Sequence, residues 1–422
     1  MTGGLLLFED RHWSDLRPLT DLLPVPALAF GGSTVAERWL DAASPVPGAG
    51  LLAIEAREVA IEAWREAPRP KAPASRADGE TLAVNAAALP GAWVSRGWEA
   101  GPRTLWLAGG RIAGARLPFE VAARGLGQGA RFESFLAGLG LTTVEVEARF
   151  LSRPWDLFES NLAALAEDLE GLEPKVEGEL HRLAAVYQPD RVALAPGSRI
   201  DAYAVLDARE GPIRIGSGAA VLSHTVVVGP CAVGAGARLL GGVIGRSTIG
   251  PGCRIAGEVD SCVWQGWSNK SHHGFVGHSV VGEWVNLGAL TTTSDLKNTY
   301  GPVRVRVGRE ELDTGLFKVG SFVGAHVKTG IGTLLPTGAS IGTGSNLFGG
   351  GRYVPRHVPT FGWWDGEVMR EHGLERFLET ARMAMARRER PLRPADEVAL
   401  RALHQDTQAE RRSLAETAVR PA

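Results

Sequence analysis

Residues 213–255 read IRIGSGAAVLSHTVVVGPCAVGAGARLLGGVIGRSTIGPGCRI, and aliphatic residues recur within this stretch at intervals of six. Several are followed by a small residue, as in Ile215-Gly216 and Val233-Gly234. The aliphatic positions spaced by six include Leu194, Ile200, Leu206, Ile215, Val221, Val233, Leu239, Ile249, Ile255, Leu335, Ile341 and Leu347. This hexapeptide pattern is typical of a parallel β-helix, in which each hexad makes one strand and one corner. A β-sandwich would instead alternate with period two.

Glycine usage marks the extent of this domain. Of the 54 glycines, 33 lie within residues 191–366 and one lies beyond them. Glycine at such density indicates many tight corners. The composition predicts an α/β domain over residues 1–185, a β-helix over residues 186–366 and a short α-helical tail over residues 367–422.

The segments outside the repeat carry ordinary strand and helix signals. A strand is predicted at Thr81–Asn85, and a hairpin at Thr104–Ala108 and Arg111–Ala115 turns on Gly109-Gly110. An amphipathic helix is predicted over Trp155–Leu172, and two more are predicted in the tail, the second over Ala395–Ala402. The apolar faces of the first two helices are Phe158, Leu162, Leu165, Leu169 and Leu172, and Leu374, Phe377, Leu378, Ala381 and Met385.

Charge and cysteine content exclude several classes of function. Lys and Arg number 45 against 47 Asp and Glu, so the chain has no basic excess for a nucleic-acid backbone or an anionic membrane. The first residues lack the basic flank and long apolar core of a signal peptide. Cys231, Cys253 and Cys262 show neither a disulfide framework nor metal-ligand spacing. These features predict a cytoplasmic protein.

Two stretches interrupt the hexads and suggest a site. Residues 256–275 carry a polar and aromatic run, and residues 291–318 form a long charged insertion. Insertions in a solenoid leave from its corners and often gather on the binding face. We therefore expect functional residues on the coil between these two segments.

Several motifs resemble those of one bacterial family. They are LLLFED (5–10), LRPLT (16–20), RPWDLFESN (153–161), SNKSHHGFVGHSVVGEWVNLGALTTTSDLKNTY (268–300), GIGTLLPTGASIGTGSNLFGGG (330–351) and ETARMAMARRE (379–389). They look like a family of sugar nucleotidyltransferases related to the bifunctional enzymes that acetylate glucosamine-1-phosphate and uridylylate the product. The resemblance implies a nucleotidyltransferase-like α/β domain, a left-handed β-helix acyltransferase domain, and a trimer with acetyl-CoA bound between neighbouring prisms.

Acetyl transfer to an amine needs a general base, and histidine is the usual one because its pKa lies near working pH. The resemblance assigns that role to His272. Candidate groups for an amino-sugar phosphate are Asn269, Lys270, Asn286, Asp295, Lys297, Asn298 and Tyr300. Ala289 is small enough to let the pantetheine arm of acetyl-CoA approach the backbone. The alternative is that these residues are solvated surface or corner positions.

The resemblance is weaker at the N-terminal phosphate loop. Nucleotidyltransferases of this kind carry a glycine-rich loop that cradles nucleotide phosphates, followed by a lysine. Here Arg11, His12 and Trp13 replace small residues, Asp15 replaces an arginine and Val25 replaces the lysine. Phosphate binding has moved, with Arg17 as its candidate, or the domain is a degenerate scaffold. Mg²⁺ would be needed only for active nucleotidyl transfer.

Three hypotheses of different classes remain at this point. The first is the acetyltransferase, with or without nucleotidyl transfer. The second is a zinc enzyme in which His273 and His278 bind the metal with His224 or His326 as third ligand. The third is a trimeric assembly protein with a vestigial front domain, which the insertion at 291–318 argues against.

Overall fold

The computed structural model describes residues 4–43, 50–68, 79–171 and 173–417, with side chains to residue 412. These residues form two compact units. The first unit comprises Met1–Leu16, Leu22–Leu28 and Ser33–Ser152, and the second comprises Arg17–Asp21, Ala29–Gly32 and Arg153–Ala422. The predicted order of an α/β domain, a left-handed parallel β-helix and a helical tail is confirmed.

The first unit is built on a mixed six-stranded sheet. In spatial order its strands are Gly50–Glu55, Gly4–Phe8, Glu80–Asn85, Arg111–Pro118, Thr104–Ala108 and Thr142–Glu145. The predicted hairpin is confirmed, and it turns where Gly109 and Gly110 both adopt positive φ, as a two-residue hairpin requires. Around the sheet lie α1 (Val35–Ala43), α2 (Glu58–Ala63), α3 (Trp93–Glu99), α4 (Phe119–Ala123) and α5 (Phe132–Ala137). Short 3₁₀ turns span Arg11–Leu16, Val25–Ala27 and Gly129–Arg131.

The second unit contains the parallel β-helix, whose strands stack into three faces. Face 1 consists of Val192–Leu194, Ile213–Ile215, Cys231–Val233, Thr248–Ile249, Val263–Trp264, Val280–Val281, Ser321–Val323, Ala339–Ile341 and His357–Val358. Face 2 consists of Glu179–Leu180, Arg199–Ile200, Ala220–Val221, Asn269–Lys270, Lys328–Thr329, Asn346–Leu347 and Gly362–Trp364. Face 3 consists of Ala185–Tyr187, Val205–Asp207, Thr225–Val228, Phe275–Gly277, Thr292–Thr293 and Leu334–Leu335. Arg238–Gly245 and Arg254–Asp260 run through faces 2 and 3.

Hexad positions point into the prism and form one continuous core. Ile215, Val233 and Ile249 are register partners or neighbours on successive coils, and each is almost completely buried. The apparent break at 256–275 is an unbroken coil, because Trp264 and Lys270 occupy inward positions six residues apart. The real interruption begins after Thr292–Thr293, where the insertion leaves between faces 3 and 1 and forms the hairpin Arg304–Val307 and Glu310–Asp313.

The corner between faces 1 and 2 explains the aromatic residues of this coil. At each turn one residue adopts positive φ, and glycine provides it at Gly197, Gly218, Gly236 and Gly252. Trp267, Trp284 and His326 take the same conformation on the following coils and stack, with ring centroids 5.6 and 6.3 Å apart. The strained backbone is therefore offset by a continuous aromatic stack.

Helices cover parts of the prism. In α6 (Pro154–Leu169), Trp155 and Phe158 pack against Phe322 of face 1, and Leu165 packs against Ala232. Helix α6 therefore belongs to the second unit, whereas the sequence placed it in the 1–185 domain. Leu162 is exposed, and Leu172 lies outside the described residues.

The tail folds as α7 (Leu374–Ala386), α8 (Pro394–Asp406) and α9 (Gln408–Thr417). Phe377 of α7 meets His326 of the aromatic stack edge-on at 5.7 Å, which anchors the tail to the corner between faces 1 and 2. The predicted apolar face of α7 is confirmed, and α8 is longer than predicted. Within the described ranges, none of the helices has the length and apolar character to span a bilayer.

Candidate active site on the β-helix

Lys270 lies inside the prism rather than on its surface. It is the register partner of the core residue Ile255 and is 1% exposed. Its ammonium donates hydrogen bonds to the carbonyl oxygens of Ala256 at 2.9 Å and His272 at 2.8 Å. Burial lowers the pKa of Lys270 to about 8. A buried ammonium cannot contact a sugar phosphate at the surface, so the predicted substrate role of Lys270 is wrong. Its hydrogen bond holds the backbone of His272 instead.

His272 lies at the corner between faces 2 and 3, in the segment that follows Lys270. Its side chain is exposed, as is that of His273. The carbonyl of His273 accepts a hydrogen bond of 2.9 Å from the backbone N–H of Leu290 on the next coil. Ala289 precedes Leu290, so the structure brings Ala289 and His272 to the same corner. The imidazole of His272 is thus presented to solvent from a backbone fixed from both sides.

A chain of amide and hydroxyl groups runs along face 2 beside this corner. Ser271 donates from its Oγ to Asn269 Oδ1 at 2.6 Å, and Asn269 donates from its Nδ2 to Asn286 Oδ1 at 2.7 Å. The backbone of Asn286 in turn forms a parallel β-bridge with that of Lys328 on the following coil. Burial lowers the pKa of Lys328 to about 8. Sequence reasoning missed Lys328, although its place in the hexad register would have aligned it with Asn269.

Asp295 lies on a different corner and pairs with His278. The His278 Nδ1 and Asp295 Oδ2 atoms are 2.8 Å apart, and the two side chains are 18% and 14% exposed. Burial raises the pKa of Asp295. The hydrogen bond to His278 and the positive charges of His278 and Lys318 outweigh this effect and hold the carboxyl pKa below its usual value. This pair fastens the start of the insertion to the corner between faces 3 and 1.

The other three predicted substrate residues belong to the insertion. Lys297 donates from its Nζ to the carbonyl oxygen of Pro302 within the same loop. Asn298 and Tyr300 are exposed. The described contacts of Lys297 are with the loop itself, and a substrate role for these residues stays a prediction.

The histidines of the zinc hypothesis are distributed over separate corners. His224 stacks on Tyr203 with centroids 5.7 Å apart, His326 lies in the aromatic stack, and His278 binds Asp295. Among the described residues there is no group of three or more His, Cys, Asp or Glu side chains arranged to hold a metal ion. The zinc hypothesis gains no support from this arrangement.

In the first unit, two buried carboxylates follow the central strand Gly4–Phe8. Glu9 accepts a hydrogen bond from Arg57 Nε at 2.8 Å and another from the backbone N–H of Val25. Asp10 is bound by the Arg111 guanidinium through two bonds of 2.6 and 3.1 Å. This edge, at the carboxyl ends of parallel strands, is where open α/β sheets usually bind ligands. Here the chain itself neutralises the charges.

The hydrogen bonds at this edge of the sheet show whether its carboxylates could bind a magnesium ion. Asn85 donates from its Nδ2 to Asp10 at 2.8 Å, and Glu55 accepts the backbone N–H groups of Gly127 and Gly129 at 2.8 and 2.6 Å. The carboxylate oxygens that a magnesium ion would need are therefore engaged with donors and arginines. The residues at this edge do not fit a magnesium site.

Arg17, the candidate nucleotide-binding residue, belongs to the second unit. Its guanidinium binds Asp21 Oδ1 at 2.5 Å and Glu410 Oε1 of α9 at 3.1 Å. The charge of Asp21, and to a smaller extent that of Glu410, raises the pKa of Arg17 against the effect of burial. An arginine held between two carboxylates carries no spare charge for a triphosphate, and the nucleotide role remains a prediction.

Comparison with known proteins finds similarity to a sugar nucleotidyl transferase family and to bifunctional transferases. Residues 5–176 match the family described as Sugar nucleotidyl transferase, which confirms the predicted resemblance for that segment. A bifunctional sugar-1-phosphate nucleotidylyltransferase/acetyltransferase of Sulfurisphaera tokodaii is 36% identical over 93 residues, 22% of this chain and 23% of that protein. The bifunctional protein GlmU of Methanococcus aeolicus is 33% identical over 88 residues, 21% of each. The matched stretches thus span less than a quarter of either relative.

Two solved structures are similar to this chain at low sequence identity. LpxA from Acinetobacter baumannii is 16% identical, with a TM-score of 0.30, and the match covers 49% of this chain and 76% of that one. The Arabidopsis UDP-N-acetylglucosamine acyltransferase is 14% identical, with a TM-score of 0.24 and coverage of 56% and 92%. Scores this low add nothing to the account of the fold given above.

Proposed function

We propose that the chain is a transferase of sugar-nucleotide biosynthesis whose β-helix moves an acetyl group from acetyl-CoA to an amino-sugar phosphate such as glucosamine-1-phosphate. The observation that carries this proposal is the exposed His272 beside the Ser271–Asn269–Asn286 chain, on a backbone held by buried Lys270. His272 is the general base, and Asn269 and Asn286 orient the sugar.

Acetyl transfer requires a general base next to the bound amine, and His272 is placed to supply it. The amine nitrogen attacks the thioester carbonyl, a C–N bond forms, the C–S bond breaks and coenzyme A leaves as the thiol. His272 removes the amine proton as the nitrogen becomes positively charged. Donors along face 2 are suited to bind substrate hydroxyls. Analysis by mass spectrometry should find N-acetylated sugar phosphate after incubation with both substrates; a scaffold protein would yield none.

The corner that carries His272 also exposes apolar side chains at both of its ends. Its exposed apolar residues are Leu183 and Tyr203 on the first two coils, and Leu290, Ile331 and Phe348 on three consecutive later coils. Monomers rarely leave adjoining apolar side chains such as Leu290, Ile331 and Phe348 uncovered, and a three-fold symmetric assembly would bury this patch in every copy. We propose a homotrimer in which this corner meets a second copy, next to His272 and the acetyl-CoA groove.

We expect sedimentation of the purified chain to give three times its mass of 44.8 kDa. Ile331→Asp should shift the population toward monomer, because a buried unpaired carboxylate would be costly. Val398→Asp is a matched control, since Val398 is an exposed apolar residue on α8. A wild-type monomer at micromolar concentration would contradict the trimer.

We further propose that nucleotidyl transfer by the first unit is weak or lost. Val25 is buried where a lysine would be needed, and the Glu9–Arg57 and Asp10–Arg111 pairs occupy the strand ends. We expect no more than trace pyrophosphate release from nucleoside triphosphates with Mg²⁺ and the acetylated sugar phosphate. Rapid release would show that phosphates bind elsewhere, with Arg17 the first residue to replace.

A further inference from the structure

Two arginines lie side by side on the outer positions of face 2, next to the proposed active site, and the tail brings a third arginine near them. Arg238 and Arg254 are register partners on neighbouring coils, so their backbones lie about 5 Å apart. Asn269 is the register partner of Arg254 on the following coil. The two arginines and the amide chain that reaches Asn286 therefore form one row along the prism.

The third arginine, Arg388, comes from the segment that follows α7. Two residues later, the Arg390 guanidinium lies 4.1 Å from the centre of the Trp267 ring. That ring covers Gly252, at which a Cβ atom would lie 2.5 Å from it, and Gly252 precedes Arg254 by two residues. Burial first, and then the charges of Arg254 and Arg238, lower the pKa of Arg388. The tail thus brings a third positive charge to the pair.

None of these three guanidinium groups forms an ion pair or a side-chain hydrogen bond with the described part of the chain, and the Nε of Arg254 is buried without an acceptor. Elsewhere on the prism arginines are paired: Arg199, in the same outward row, binds Asp201 at 2.8 Å. Adjacent, unneutralised guanidiniums repel one another, and their forked donors match the oxygens of a phosphate.

We propose that Arg238, Arg254 and Arg388 form a binding site for a phosphate-bearing small molecule. The row through Asn269 leads from this site toward the corner of His272, so a bound ligand can extend along face 2. Two molecules share the required chemistry, namely the amino-sugar phosphate and coenzyme A. The choice of these two molecules rests on the proposed acetyl transfer, whereas binding of a phosphate at the arginines is measured without turnover.

Calorimetric titration of the full chain with pyrophosphate, glucosamine-1-phosphate and coenzyme A, each alone, tests the site. We expect Arg254→Gln and Arg388→Gln each to weaken binding of at least one probe by about tenfold or more, the loss typical of a charge-assisted hydrogen bond. Arg199→Gln is the matched control and should bind as the wild type does. The probe whose affinity falls identifies the phosphate source.

Thermal unfolding separates this role from a structural one. Removing one of three mutually repelling cations should leave the midpoint unchanged or raise it, whereas loss of a packing arginine would lower it. Wild-type protein that binds none of the three probes, or variants that bind them as tightly as the wild type, would overturn the proposal. Failure of the acetyltransferase proposal looks different: probe binding would persist and depend on Arg254 and Arg388, but no thiol would be released.

Discussion

Replacing His272 with asparagine should lower the rate of acetyl transfer by about 10²–10⁴-fold, the range expected for loss of a positioned general base. Asparagine keeps a polar side chain at this exposed corner but cannot accept the amine proton. Trimer assembly and the unfolding midpoint should hardly change, because His272 makes no core contact and the Lys270 bond goes to its backbone carbonyl. The measurement is steady-state thiol release with both substrates varied.

Two neighbouring histidines serve as controls for this variant. His273→Asn changes an equally exposed side chain at the same corner and should keep most of the activity. His278→Asn breaks the pair with Asp295 and should cost stability of the insertion more than turnover. Near wild-type turnover by the His272 variant, together with a large loss in the His278 variant, would move the base to the His278–Asp295 pair.

Replacing Lys270 with methionine should release the corner that carries His272. The carbonyl oxygens of Ala256 and His272 would lose their donor inside the prism, at a cost of about 1–3 kcal/mol for each group left unpaired. We expect kcat to fall about tenfold or more, with a smaller change in KM, because the base rather than the binding surface is displaced. Leu287→Met, a core substitution of similar volume on the next coil, should leave both constants near the wild-type values.

Lys270 also makes a specific pH dependence of stability testable. Its pKa is about 8 in the folded protein against an ordinary value of 10.5, so the unfolded chain holds the proton more tightly. Between pH 8 and 10.5 the unfolded state binds more protons, and the free energy of unfolding gains about 3 kcal/mol as pH rises. The difference between wild type and Lys270→Met isolates this gain from the effect of the cysteines, whose raised pKa values act in the opposite direction. A difference that stays constant with pH would contradict a buried ammonium.

Most of the fold was predictable because its core repeats locally. Each hexad shows its aliphatic and small residues within six consecutive positions. Residues 213–255 therefore predict the β-helix without any knowledge of distant contacts. The coil at 256–275 was hidden because Trp264 and Lys270 replace aliphatics at inward positions. Their spacing of six was the remaining signal, and reading it would have placed Lys270 in the core.

The candidate site was only partly predictable, since its geometry depends on contacts between distant residues. His272 follows from the resemblance, and Asn269, Asn286 and Ala289 are candidates by residue type. The structure places His272 and Ala289 at one corner, with Asn269 and Asn286 beside it on face 2. Asp295 was grouped with them by sequence proximity, but three-faced winding places it on another corner, with His278. The Asp10–Arg111 pair joins residues 101 positions apart, and no local pattern indicates such a partner.

We propose that the β-helix transfers an acetyl group while the first unit does not transfer nucleotides. The most direct test follows free thiol and pyrophosphate in one sample of the full chain, given acetyl-CoA and glucosamine-1-phosphate first and nucleoside triphosphates with Mg²⁺ afterwards. We predict thiol release that depends on the amino sugar, followed by little or no pyrophosphate. Pyrophosphate without prior thiol release would contradict this proposal, since the first unit would then be the working enzyme and the β-helix its scaffold.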